Sequence, residues 1–291
     1  MNHPSRFTPL TSLAALATLA FAACGPASEP PVPRGMVTGT TGAQAIEGGV
    51  EILKAGGSAA DAAMSTARTQ ICMAAGSWVS YAGLMTMVYY DAESDEVHNM
   101  NAAYNTVAAE TDPLTIPGID LSVGLGTFEA EPSGRTVLVP GFMKGVEAAS
   151  ERFGRLPFQD LFAPAIACAE DGFEYLEGNA GQYAYREQVL SRLPETKAVF
   201  TRADGSPYQA GDMFTQPALA RTLRMVADQG TDYMYTGPWA EKLVKLVGDI
   251  GGRMTGEDLA NYEVIWSEPA RGATTATTCT RTAARRRAAS A

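Results

Sequence analysis

The clearest pattern of hydrophobic and polar positions lies in residues 211–269, where short apolar series alternate with glycine-bearing turns. Apolar residues at spacings of four and three share one helical face: Leu219, Leu223 and Val226. Thr215, which precedes a Gln-Pro pair, is the predicted N-cap, and Gly230 stands where a C-cap is expected. These positions predict an amphipathic helix.

Two more helices are predicted in the same stretch. The first begins at about Pro238, ends at the Gly251-Gly252 pair and turns Leu243, Val244 and Val247 inward. The second follows Thr255, which with Asp258 three residues later resembles a capping box.

The N-terminal half predicts a helix pair followed by strands. Residues 41–55 predict one helix, and Ser58 is the expected cap of the next, which carries Asp61 in its first turn and continues to about Cys72. Residues 84–90 predict a strand, residues 91–96 a turn and residues 97–100 the returning strand. A further strand is expected at residues 136–139, before a helix that ends near Phe153.

Composition narrows the class of protein. The 291 residues, with 46% hydrophobic and 19% charged side chains, suit a globular protein of one large or two small domains. A formal charge of −10 argues against nucleic acid as a partner, because phosphate binding requires a basic face. With His3 and His98 as the two histidines and no paired Cys or His spacing, no metal site and no cofactor are expected. Cys72 and Cys168 fall on predicted helices and are interpreted as buried, unreactive thiols.

The first 24 residues read as an export signal. Arg6 supplies the positive end, residues 10–21 the apolar stretch, and Ala22-Ala23 the small residues before Cys24. Phe-Ala-Ala-Cys resembles a bacterial lipobox, which makes Cys24 the expected lipidation site and membrane anchor; ordinary cleavage near residues 20–22 is the alternative. Residues 25–35 form a proline-rich tether. The expected location is therefore the periplasm or cell surface.

Several separated strings resemble the γ-glutamyltransferase family. They are EILKAGGSAADAA (51–63), the segment from Val139 to Phe173, QPALARTL (216–223) and GGRMTGEDLANYEVIWSEP (251–269). The resemblance implies an α+β protein with the N-terminal-nucleophile hydrolase fold, an α/β/β/α sandwich, of which residues 36–272 form an incomplete, helix-rich large-subunit portion.

The family resemblance also implies a reaction. Members cut their own precursor, and the new N-terminal threonine of the small subunit attacks γ-glutamyl amides such as glutathione, passing the acyl group to water or an amine. A free α-amine with a pKa near 7.7–8.0 is a suitable general base for this attack. That threonine is expected beyond residue 291, so no catalytic residue is assigned here, and the partner is the small subunit of the same precursor.

One departure from the family pattern concerns the substrate. The family's RExAP motif carries an arginine that holds the substrate α-carboxylate, whereas here the corresponding stretch reads HNMNAAYNTVAAE, with Ala103 or Tyr104 at the arginine's place. Asn101, Tyr104 and Asn105 are candidate substrate-binding residues for a different acyl pocket, or they only close a loop. An amide acylase of non-glutamyl substrates is thus the close alternative.

The last residues depart from the family more sharply. Residues 273–291 contain four arginines and no acid, and predict a disordered basic tail. A neighbouring reading frame is able to encode the family's next segment, so a frameshift is one hypothesis for the change. The chain on its own is then expected to be inactive, and the non-enzymatic alternative is a membrane-tethered lipoprotein module.

Overall fold

The computed structural model describes residues 35–40, 42–76, 79–116, 133–273 and 278–281. The export signal, Cys24 and nearly all of the tether lie outside these ranges. The helices are α1 (Ala43–Lys54), α2 (Ala59–Met73), α3 (Phe142–Phe153), α4 (Ala163–Asp171), α5 (Glu177–Leu190), α6 (Pro194–Val199), α7 (Pro217–Gln229), α8 (Asp232–Tyr235), α9 (Pro238–Asp249) and α10 (Gly256–Ala260). The strands are β1 (Met85–Asp91), β2 (Glu96–Ala102), β3 (Phe173–Glu174), β4 (Met213–Phe214), β5 (Ile265–Ser267), β6 (Ala270–Ala273) and β7 (Thr278–Arg281).

Helix α2 is the most buried helix that the structure describes, and it packs against α1, α3 and α4. Ser58 caps its start, as predicted, and the cap is a full capping box: the Asp61 N–H donates to Ser58 Oγ (3.0 Å) and the Ser58 N–H donates to Asp61 Oδ2 (2.9 Å). Small residues along the helix allow its neighbours to approach closely, so that even Asp61 and Arg68 are fully buried.

The predicted hairpin is confirmed, and a third strand extends it. The antiparallel sheet has the order β1-β2-β5, with Met85 opposite Ala102 and Met100 opposite Trp266. One face packs under α3, where Met85, Met100 and Ala102 join the core. On the other face Val88 and Tyr90 are 41% and 58% exposed. Within the described residues, the outer edges of β1 and β5 have no further strand.

The strand predicted at residues 136–139 is wrong. Residues Gly134–Thr136 form a 3-10 turn, and Val139 makes only an isolated bridge with Asn105. Pro140 follows directly and has no N–H to donate, so the pairing cannot continue as a ladder.

Two expectations about element ends also differ from the structure. The N-cap of α7 is Gln216 rather than Thr215, because a residue before proline is kept out of the helical conformation and the helix begins at Pro217. Residues Thr278–Arg281, expected to be part of a disordered tail, form β7 and pair with β6. Backbone pairing needs no apolar side chain, and threonine favours strands. Residues 274–277 and 282–291 lie outside the described ranges.

Across the described part of the chain, no helix is both long enough and apolar enough to cross a membrane.

Candidate functional site

The candidate site is the C-terminal end of β2 together with the loop that follows it. Ala102 is fully buried beneath α3, next to Gly145. The next carbonyl, that of Ala103, accepts a 2.6 Å hydrogen bond from the Tyr262 hydroxyl. Tyr262 follows α10, so the end of β2 is tied to the helix that carries the second capping box.

The three predicted substrate residues have different surroundings. Asn101 Oδ1 accepts from the Ala103 N–H at 2.9 Å, a contact that closes the turn. Tyr104 is 37% exposed. Asn105 pairs through its backbone with Val139, at N–O distances of 3.1 and 2.9 Å. Of the three, only Asn105 lines the neighbouring cleft.

That cleft is open, has a volume of about 390 Å³, and lies between the loop after β2 and α10. Its lining is mostly polar: Asn105, Thr106, Ala108, Thr255, Glu257, Asp258 and Asn261. Two carboxylates and no cation line it among the described residues, so the potential in the cleft favours an ammonium group over a carboxylate.

Asp258 fixes one wall of the cleft, a role that the capping pattern in the sequence does not indicate. Its Oδ2 accepts from the Thr255 N–H and hydroxyl, both at 2.8 Å, while Oδ1 accepts from the Ala108 N–H at 2.8 Å. Burial raises the pKa of Asp258, but these donors outweigh it and hold the pKa below its usual value.

A clasp formed by the Glu110 carboxylate and the Arg135 guanidinium anchors the far end of the loop. The sequence did not predict this contact either. Arg135 binds Glu110 through two hydrogen bonds, of 2.8 and 2.6 Å, and also donates to the carbonyls of Asp112 and Thr115. Arg253 approaches Glu110 at 3.5 Å. The hydrogen bonds from Arg135 lower the pKa of Glu110. Both arginines near this loop are thus engaged by the protein itself.

Both cysteines are buried, as the sequence predicted. Cys72 and Cys168 are both fully buried, and the hydrogen bond between the two thiols together with burial raises the pKa of Cys72. In the described ranges no group of three His, Cys, Asp or Glu side chains is placed to hold a metal ion.

The sequence matches a known protein family and its curated members. Residues 45–285 match the family model described as gamma-glutamyltranspeptidase, so the match extends past Gly272, where the sequence analysis placed the family break. A glutathione hydrolase proenzyme of Pseudomonas aeruginosa is 36% identical over 222 residues, which cover 76% of this chain but only 38% of that protein.

Solved structures of related proteins superpose on this chain. The γ-glutamyltranspeptidase of Helicobacter pylori superposes with a TM-score of 0.76 at 25% identity, covering 87% of this chain and 72% of that one. A cephalosporin acylase from Bacillus halodurans superposes with a TM-score of 0.67 at 25% identity, covering 86% of this chain and 47% of that one. The fold is therefore that of the N-terminal-nucleophile hydrolases, α+β and helix-rich in the part described. The chain belongs to the γ-glutamyltranspeptidase family and corresponds to its large-subunit portion.

Proposed function

We propose that this chain is the large-subunit portion of an exported enzyme that hydrolyses γ-glutamyl amides, such as glutathione, or transfers their acyl group to an amine. The nucleophile is an N-terminal threonine in a small subunit cut from the same precursor. The observation that carries the proposal is the family match over residues 45–285, combined with a span of 38% of the length of the Pseudomonas aeruginosa proenzyme.

The sheet supports a second subunit as partner. Val88 and Tyr90 are exposed on the face of β1 that the helices leave open. A four-layer sandwich places a second sheet over such a face, and exposed apolar side chains favour that burial. The unpaired outer edge of β1 or β5 is where further strands of the same sheet would add.

We further propose that residues 1–291 alone are catalytically inactive. The most nucleophilic side chains that the structure describes, the thiols of Cys72 and Cys168, are buried against each other and out of reach of any substrate. Among the residues that the structure describes, those lining the cleft beside Asn105 offer carboxylates and amides but no cysteine, lysine or histidine.

A second candidate substrate class is favoured by the loop after β2. Ala103 or Tyr104 stands where the family's carboxylate-binding arginine is expected, and Arg135 and Arg253 are held by Glu110. The enzyme then accepts an acyl group without an α-carboxylate, as an amide acylase does. The likeness to a cephalosporin acylase is consistent with this choice.

The test uses the full chain alone and then co-expressed with a threonine-led small subunit from its own locus. Each preparation is given γ-glutamyl-p-nitroanilide, glutathione and an acyl anilide that lacks the α-carboxylate. We expect no turnover by the chain alone and turnover by the assembled enzyme. Turnover by the chain alone, or an assembled heterodimer that cleaves none of the three, contradicts the proposal.

The substrate class is decided by a variant. Ala103→Arg in the assembled enzyme restores a guanidinium at the end of β2, and is expected to raise kcat/KM for the γ-glutamyl anilide by at least about tenfold relative to the simple acyl anilide. Ala184→Arg, at an exposed position of α5 outside the lining of the cleft, is the control and should leave the ratio unchanged. If wild type already prefers the γ-glutamyl anilide strongly, the acylase alternative is excluded.

A further inference from the structure

Two cysteines from distant parts of the chain meet in the core. Cys72 lies near the end of α2, Cys168 lies in α4, and 96 positions separate them. Their sulfur atoms are 2.6 Å apart, and both residues have an exposed fraction of 0%. Non-bonded heavy atoms prefer roughly 3.5–4.0 Å, so these two sulfurs are inside ordinary contact distance.

The surrounding residues hold the two sulfurs together. Ala45 and Ala169 are fully buried in the same cluster, and such small side chains let α1, α2 and α4 approach closely. Gln216, the N-cap of α7, donates through Nε2 to the Cys72 carbonyl at 3.0 Å and lies 3.4 Å from Cys72 Sγ. The position of Cys72 is therefore fixed from a third element.

The chain has few other cysteines with which Cys72 or Cys168 could form a disulfide. The chain has four cysteines, of which Cys24 is the expected lipidation site and Cys279 follows the core domain in β7. An exported protein folds in a compartment where disulfides form and persist. Two thiols in contact in the core of such a protein are a pair ready for oxidation.

We propose that Cys72 and Cys168 form a disulfide bond that joins α2 to α4 in the exported protein. The reaction is thiol–disulfide exchange with a small-molecule or protein disulfide, before the core closes. One cysteine thiolate attacks a sulfur of the donor, forms a mixed disulfide and releases the first donor thiol. The second cysteine then attacks the mixed disulfide and releases the second donor thiol. The two cysteines are oxidised, the donor disulfide is reduced, and the two protons end on the donor thiols.

The bond has a defined structural consequence. It closes a loop that contains β1, β2 and α3, and therefore two of the three strands of the sheet and the loop after β2 that forms one wall of the candidate site. Cross-linking the ends of so long a segment restricts the unfolded chain, which stabilises the folded state. Reduction of the exported protein is then expected to lower its melting temperature.

The experiment uses the full chain isolated from an oxidising compartment without reductant. The protein is unfolded in the presence of N-ethylmaleimide, digested with trypsin and analysed by mass spectrometry. We expect a linked pair of peptides, 69–135 with 156–186, lighter by two hydrogen atoms than the two free peptides together. Dithiothreitol is expected to abolish the pair and lower Tm by several degrees.

Cysteine variants and an oxidation experiment on the reduced chain serve as controls. Cys72→Ala should remove the linked pair, while Cys279→Ala should retain it. Cys72→Ala/Cys168→Ala should show no Tm change with dithiothreitol. Reduced full chain treated with oxidised glutathione should regain the same pair. Both thiols alkylated after both treatments, or Cys72 linked to a different cysteine, would overturn the proposal.

Discussion

Asp61 connects the first turn of α2 to the segment that follows α3. Its Oδ2 accepts from the backbone N–H groups of Ser58, Arg155 and Leu156 at 2.9, 2.8 and 3.3 Å. The residue is fully buried. A single carboxylate oxygen thus satisfies donors from two separate parts of the chain, one of which is the N–H of the buried Ser58.

Asp61→Ala is expected to destabilise the protein by about 3 kcal/mol, since it breaks the capping box of α2 and leaves the N–H of the buried Ser58 unpaired. Urea unfolding followed by circular dichroism measures the change. Asp61→Asn keeps an acceptor oxygen and should lose less. Asp160→Ala, at an exposed position, should lie within about 0.5 kcal/mol of wild type. Equal losses for Asp61→Ala and Asp160→Ala would show that the contacts of Asp61 contribute nothing.

Tyr175 gives the protein a predicted sensitivity to alkali. The side chain is 1% exposed, and burial, followed by the neighbouring Tyr183, raises the pKa of Tyr175 to about 12. In the unfolded chain the phenol ionises near pH 10. The contribution to stability is therefore complete below about pH 10 and is lost as the pH rises from there toward 12.

Tyr175→Phe should make the free energy of unfolding fall less steeply above pH 10, by up to about 1.4 kcal/mol per pH unit. Urea titrations at pH 9, 10 and 11 measure the slope. Tyr185→Phe is the control, because Tyr185 is 65% exposed. A slope identical to that of wild type in Tyr175→Phe contradicts the prediction.

At the scale of elements, the sequence predicted those parts whose signals are local. The cap at Ser58, the capping box at Thr255 and the hairpin of β1 and β2 depend on neighbouring residues, and the structure confirms them. Helices α5 and α6 and strand β5 were not predicted. Strand β5 has only three residues, and it is defined by its pairing with β2, more than 160 positions earlier, which no local pattern records.

The candidate site shows the same limit. The position of the loop after β2 followed from the family motif, and Asn105 does line a cleft. The clasp of Glu110 with Arg135 and the contact of Tyr262 with Ala103 join residues 25 and 159 positions apart. Such contacts are set by tertiary packing, so sequence reasoning had no signal for them.

The contact between α3 and the sheet predicts that alanine at Gly145 destabilises the protein, whereas alanine at the uncrowded Gly181 stabilises it. A Cβ on Gly145 would lie 2.6 Å from Ala102 Cβ and 2.8 Å from Met85 Cε, so Gly145→Ala must push α3 off β1 and β2. The expected loss is about 1–3 kcal/mol. Gly181→Ala in α5 meets nothing within 4 Å and should gain about 0.5–1 kcal/mol. Chemical denaturation of both variants measures the change in the free energy of unfolding. A Gly145→Ala variant as stable as wild type would contradict the packing described.

At the scale of the whole molecule, the sheet in the described part of the chain has a well-packed face and an open face. Helix α2 and its neighbours form the core under one face of the sheet, while Val88 and Tyr90 are exposed on the other face. In the proposed enzyme, the second subunit assembles on this open face. Because exposed apolar surface and unpaired strand edges favour association, the chain alone is expected to be prone to aggregation.

The proposed export route determines where assembly takes place, and Cys24 carries the prediction that tests it. If Cys24 is lipidated, the full chain expressed in a bacterial host should incorporate a labelled fatty acid, sediment with membranes and partition into detergent. A single acyl chain binds membranes only marginally, and stable anchoring needs more than one. Cys24→Ser should lose the label and enter the soluble fraction, whereas Cys279→Ser should behave as wild type. An unlabelled chain whose mature N-terminus follows Ala22, recovered in the soluble periplasm, would instead support ordinary cleavage, and the subunits would then assemble free of the membrane.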